Sequence, residues 1–317
     1  MAGGQERILR RRIRSVQSTK KITRAMELIA ASQIVRAQAR IAAARPYQEG
    51  MARLVVEAAA GDPVAAGRLL GAPERVERVA VLSIVADRGL CGGYNAFVLR
   101  ATERLLADGR AEGVEHRLFT VGKKAQGYFR FRRQPVERSF TGMSERPNFT
   151  DAREVAAAVL GPFVEGEVDQ VLLVSTRFLS ASSQRVEVRQ LLPLEDPRRP
   201  DGDAGPVDDT EAPARLGYTE FEPDAAVLLE TLAPRAAETA IFGALLEASA
   251  SELTARQRAM AAATDNAEEL IKKYSRIMNR ARQDAITTEI MEIVGGAEAL
   301  RAGAAGDESG LVIEVGS

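Results

Sequence analysis

Between Pro234 and Leu300 the chain has no further proline and no long polar loop, and its apolar residues return at three- and four-residue spacing. Leu270, Tyr274, Ile277 and Ala281, then Ile286, Ile290 and Ile293, mark the stripe, with Ala, Glu, Lys, Arg and Gln between them. The pattern predicts one helix with one buried face. At 1.5 Å per residue such a helix is on the order of 100 Å long, more than a domain of a few hundred residues can wrap. Its stripe must therefore meet another helix or another chain.

The other end of the sequence supplies a partner. Leu9, Ile13 and Val16, then Ile22, Met26 and Ile29, follow the same spacing, with no proline before Pro46. Residues 1–60 carry 12 Lys/Arg against 4 Asp/Glu, so this end is strongly basic. Two long helices at opposite ends of one chain, each with a narrow apolar stripe, predict an antiparallel coiled coil. Polar residues interrupt the stripes at Gln17-Ser18-Thr19 and Thr264-Asp265-Asn266. The seam is thus expected to be slender and to serve outward contacts as well as stability.

The middle, 75–194, has a different pattern. Val79 to Val85 is a continuous apolar run of strand length, suited to burial on both faces. It ends at the glycine-rich turn Asp87-Arg88-Gly89-Leu90-Cys91-Gly92-Gly93, and a helix from about Tyr94 to Ala107 follows. Further strands are expected at His116–Val121, Val171–Ser175 and Val186–Leu192, and a short helix at Lys123–Phe129. Asp151 and Glu154 read as a capping box opening a helix to about Phe163. Strands alternating with helices predict a small Rossmann-like α/β domain with a largely parallel sheet. Residues 195–222 are rich in Pro, Gly and Asp and are expected to form a mobile acidic loop. Pro223 would open a short helix and Pro234 would sit in the first turn of the long one. The coiled-coil segments are then 1–60 and 223–300, with a flexible tail at 301–317.

Composition excludes several classes. Net charge is −1, so no global field points to nucleic acid or membrane. No apolar run approaches the ~20 residues that span a bilayer, and the N-terminus lacks a signal-peptide core. A single cysteine, Cys91, and a single histidine, His116, leave no material for a disulfide, a Cys/His metal site or a Ser-His-Asp triad. Gly89 to Gly93 follows a buried strand, where a phosphate loop belongs, but neither GxGxxG nor GxxxxGK[ST] spacing occurs. A tight strand-to-helix turn is the expected role. No catalytic residue, metal or cofactor is expected. The run Arg10-Arg11-Arg12-Ile13-Arg14, with Lys20, Lys21 and Arg24, lacks acidic residues four positions on and reads as an interaction face.

Three segments carry a family resemblance. Ile13 to Ser32 (IRSVQSTKKITRAMELIAAS) resembles the N-terminal helix of the gamma subunits of F-type ATP synthases. Asp87 to Asn95 (DRGLCGGYN) resembles their central motif, and Ala281 to Ala297 (ARQDAITTEIMEIVGGA) their C-terminal signature. The three lie in the family's order, and the resemblance covers residues 3 to about 300. The insert at 196–213 is similar to those of actinobacterial members, and the tail after Leu300 passes the family's usual end. The resemblance implies a central-stalk rotor with no bond chemistry of its own. Its partners would be the alpha and beta subunits of the catalytic hexamer, the epsilon and delta subunits and the membrane c-ring. It would be peripheral on the cytoplasmic face of the bacterial cell membrane. It further implies that Arg256, Gln283 and Thr287 face a beta-subunit loop, and that Arg10, Lys21 and Met26 lie near the level of the beta lever. The competing readings are a nucleotide-binding α/β protein with coiled-coil arms, a structural coiled-coil tether and a basic-helix nucleic-acid binder. They would need, respectively, a phosphate-loop fingerprint, cleaner heptads and a net positive chain.

Overall fold

A computed structural model of the chain describes residues 2–61, 73, 75–194 and 224–307. The expected acidic loop at 195–222 lies outside the described residues, as does the tail from 308 onward. The chain divides into two compact units, residues 1–26 with 261–317 and residues 27–260. Two long helices, α1 (Ala2–Gly61) and α5 (Ala225–Asp307), contribute to both.

In the first unit α1 and α5 pair antiparallel. Lys20 Nζ donates to Glu268 at 3.0 Å and the Thr23 and Thr264 hydroxyls share a bond of 2.8 Å, so numbers rise on one helix as they fall on the other. Ile13, Thr23, Thr264 and Ala267 are buried, and Leu9, Val16, Ile271, Tyr274 and Met278 are half-buried beside them. Leu9, Ile13, Val16, Met26, Tyr274 and Ala281 of the expected stripes lie in or beside this seam, while other expected residues do not. Ile22 is 58 % exposed, and Leu270, Ile277 and Ile286 also face outward. Both helices carry apolar residues on more than one face, and the close approach of the axes selects the small and polar positions for the interior. From Ile286 to Arg301 every side chain is exposed. The helix continues to Asp307 rather than giving way to a flexible tail at 301, because Ala, Glu, Leu and Arg in 297–302 are all helix formers.

The second unit holds a five-stranded sheet. Its strands are β1 (Arg78–Ile84), β2 (Glu115–Val121), β3 (Arg138–Phe140), β4 (Gln170–Phe178) and β5 (Gln184–Leu192). The order is β3-β2-β1-β4-β5, parallel except for the antiparallel β4–β5 hairpin. Helices α2 (Tyr94–Ala111) and α3 (Lys123–Phe131) cover one face, around Val81, Val98, Leu118 and Phe129. Helix α4 (Phe149–Val164) and the 237–248 stretch of α5 cover the other, around Leu82, Phe119, Val159 and Ile241. A strand covered on both faces must be apolar at every position, which is why β1 reads as an unbroken run. The second half of α1 packs on α5 here too, Ile34 and Ala37 against Ala250 and Leu253.

Three local expectations differ from the structure. Asn148, not Asp151, caps α4: its side chain accepts from Asp151 N–H at 2.9 Å while the Asp151 carboxylate accepts from Asn148 N–H at 2.8 Å. Asp151 is thus the third residue of the helix, the position where a reciprocal acceptor belongs. Pro223 lies outside the described residues, and α5 runs unbroken from Ala225 through Pro234, so Pro234 does not open it. Strand β3 was not expected, since three residues are too few to show periodicity.

Candidate functional site

In an open, largely parallel sheet, ligands bind outside the carboxyl ends of the strands, at the point where strand order reverses. Here that point lies between β1 and β4. The turn after β1 is shaped by backbone geometry and by one carboxylate. Asp87 accepts from the N–H groups of Lys123, Gly142 and Ser144 at 3.0, 2.9 and 3.2 Å. Lys123 is the first residue of α3, so the Asp87 carboxylate accepts from a first-turn N–H at that helix N-terminus, where negative charge is favoured. Gly122 has φ +99°, and a Cβ there would come within 2.3 Å of the Val85 carbonyl; no other residue fits. Asn95 Oδ1 accepts from Ala86 N–H at 2.9 Å and fixes the turn from the other side.

Over this turn lies α5. The Tyr94 hydroxyl donates to the Ala248 carbonyl at 3.2 Å and the Ser249 hydroxyl to the Glu145 carbonyl at 2.8 Å. Arg256 is only 6 % exposed; its guanidinium donates to the Glu252 carboxylate at 2.5 Å and to the Gly89 carbonyl at 3.4 Å. Burial pushes the carboxyl of Glu252 above its ordinary range, with Arg256 opposing that shift, and pushes the Tyr94 phenol well above its own. The Cys91 thiol is likewise raised, first by burial and then by Glu252. A thiol held protonated is a poor nucleophile and a poor metal ligand. Among the described residues no group of three His, Cys, Asp or Glu is placed to hold a metal ion. The crevice thus holds α5 by hydrogen bonds to backbone carbonyls, from Tyr94, Ser249 and Arg256, with the Glu252–Arg256 ion pair buried within the helix itself.

The residues singled out from the sequence fall in two places. Arg10, Lys21, Met26, Gln283 and Thr287 belong to the first unit. Arg10 is exposed and pairs with Glu6 at 2.7 Å, Lys21 is exposed, and Met26 is half-buried. Gln283 and Thr287 are exposed on α5, the Thr287 hydroxyl donating to the Gln283 carbonyl at 3.0 Å. Arg256 stands apart from the others: it is enclosed in the second unit, its guanidinium donating to Glu252 and to the Gly89 carbonyl. The spacing of Glu252 and Arg256, four apart on a helix, was the readable signal for that pair. Asp87, Ser144 and Ser249 carried no such signal, because their partners are backbone groups distant in sequence. Lys20, not its neighbour Lys21, makes the ion pair to α5.

The second unit is thus an α/β domain that grips a helix of its own chain at the carboxyl ends of its strands. The profile of the ATP synthase family matches residues 5–300. The ATP synthase gamma chain of Frankia casuarinae is 49 % identical over 307 residues, spanning 95 % of this chain and 99 % of that one. That of Parafrankia sp. is 48 % identical over 305 residues, spanning 95 % and 99 %. Among solved structures, a chain of the Euglena gracilis mitochondrial ATP synthase (OSCP/F1/c-ring, rotational state 3) aligns over 99 % of both chains with TM-score 0.64 and 20 % identity. A chain of the Tetrahymena thermophila central stalk/c-ring aligns over 76 % of this chain and 99 % of that one, with TM-score 0.57 and 23 % identity. The chain belongs to the ATP synthase gamma chain family.

Proposed function

We infer that the chain is the central-stalk rotor of an ATP synthase, turning with a proton-driven membrane c-ring and imposing the catalytic cycle on alpha and beta subunits. The observation that carries this reading is the stretch of α5 from Ile286 to Arg301, helical and exposed on all sides, with Ile290, Met291, Ile293 and Val294 bare. In a gamma chain such a surface suits a bearing that turns inside an apolar sleeve. The alpha and beta subunits would meet this stretch and the basic N-terminal part of α1. The epsilon subunit, the c-ring and, within the same complex, the delta subunit complete the partner set. Arg10, Lys21, Met26, Gln283 and Thr287 are the contacts proposed for the alpha/beta hexamer. The chain itself is non-catalytic: it alters the relative energies of its neighbours' conformations, which requires contacts that differ between those states. Its place is peripheral, at the cytoplasmic face of a bacterial membrane; none of its described helices is long and apolar enough to cross one. Affinity purification through a tag on this chain should recover alpha, beta, epsilon and c subunits, and the isolated chain should hydrolyse no ATP. Recovery of the chain alone from membranes, or hydrolysis that persists once alpha and beta are removed, would overturn the reading.

A further inference from the structure

Helix α5 does not fill the whole crevice. Beside the grip a groove of about 730 Å³ remains open between the first turn of α2, the β4–β5 hairpin and α5, within the range of small-molecule sites, roughly 300–1,000 Å³. It lies at the carboxyl end of β4, on the side of the switch point that α5 leaves uncovered. Four features converge on it. Helix α2, 18 residues long, opens at Gly93 with no side-chain cap, so its first turn presents N–H groups without a side-chain acceptor. Ser251 lines the groove, is 1 % exposed, and its hydroxyl has no hydrogen-bond partner. Arg185 and Arg258 also line it, and its lining among the described residues includes no carboxylate. Among the described residues the acceptors of Arg258 are neutral, the Gln184 amide at 3.3 Å and the Ala181 carbonyl. Phe97 supplies an exposed flat wall, its ring lying so close over Gly93 that a Cβ there would meet it at 2.7 Å.

A buried hydroxyl without a partner costs stability, and an uncapped helix start beside the Arg258 guanidinium favours negative charge, Arg185 being paired with Glu187 at 3.7 Å. We propose that this groove binds a small organic anion, its phosphate or carboxylate held by the first turn of α2, Ser251 and Arg258, and its flat apolar part laid against Phe97. The test titrates the full chain, free of divalent cations, with pyrophosphate and with ADP. Both bind at one site per chain, ADP about tenfold the tighter because only it reaches the aromatic wall. Arg258→Ala and Ser251→Ala each weaken both ligands about tenfold, while Phe97→Ala removes the advantage of ADP and leaves pyrophosphate unchanged. Melting curves of the three variants report their folding independently. Absence of saturable binding up to roughly 10 mM, or affinities unaltered in all three variants, would overturn the proposal. So would capture of a Glu-rich peptide with no binding of either small anion, which would mark the groove as a protein contact.

Discussion

Glu252 and Arg256 show how burial converts a surface-type residue pair into a structural one. Their side chains are buried, and neither charge has water to fall back on. Removing Arg256 therefore leaves a carboxylate with a desolvation cost and no cation. Arg256→Ala should cost about 3–5 kcal/mol at neutral pH, read from urea denaturation. Glu252→Gln, which removes the charge and keeps the shape, should cost less. The pH dependence has a definite sign. Burial already raises the folded-state pKa of Glu252, and without Arg256 it rises further. A carboxyl that binds its proton more tightly when folded makes stability fall as pH climbs from the ordinary carboxylate range through the raised value. The deficit of Arg256→Ala relative to wild type should therefore be smaller at pH 5 than at pH 8; an equal deficit at both would mean that Glu252 is not the group left uncompensated. Sequence alone placed Arg256 on the long C-terminal helix but did not reveal its enclosure. What encloses it is the Gly89 turn, more than a hundred residues away, and no local pattern carries that information.

At the scale of elements, the strands and helices whose apolar residues follow a period were legible: β1, α2, β2, β4 and both terminal helices. Elements defined by something other than period were not. Strand β3 is too short, the α4 cap depends on Asn148 rather than on an acidic residue, and Pro234 does not mark a helix start because packing of α5 on the sheet outweighs the one lost N–H. Part of the α1–α5 seam was also missed: Leu9, Ile13, Val16 and Tyr274 belong to it, but Ile22 and Ile277 look like seam residues until Thr23 and Thr264 are seen to meet. That pair yields a test of polar seam packing. Thr264→Val should lower stability by about 0.5–1.5 kcal/mol, and adding Thr23→Val should recover most of it, because two matched apolar groups replace two matched hydroxyls. Thermal melts of the single and double variants check this; additive losses would contradict it. The exposed end of α5 behaves oppositely. Ile290→Gln with Ile293→Gln should change the stability of the isolated chain by less than about 0.5 kcal/mol per site, while lowering the turnover of the assembled complex. Unchanged turnover would remove this stretch from the bearing.

For the molecule as a whole, the question is how the α/β domain of a rotor subunit contributes to rotation. The family resemblance carried by three sequence segments was enough to state the function; the physical means appears only in the packing. The sheet keeps a dinucleotide-binding topology, but Asp87 is tied to the N–H groups of Lys123, Gly142 and Ser144 and α5 lies across the strand ends. Ala237, Ile241, Ala244, Leu245 and Ala248 enter the core of the domain as if α5 were one of its own covering helices. A force applied to the domain is thus delivered to α5 through a buried apolar contact and not only through the chain connection, and a packed interior yields little under such a load. Leu245, 1 % exposed, lies in the middle of this contact. Leu245→Ala should leave a cavity and cost about 2–5 kcal/mol, loosening the domain from the helix without touching any surface offered to partners. In inverted membrane vesicles carrying the assembled complex, the expected result is ATP hydrolysis that largely persists with fewer protons pumped per ATP. Hydrolysis and pumping falling in equal proportion would instead mean that the variant reduces the number of working complexes, and that coupling does not depend on this contact.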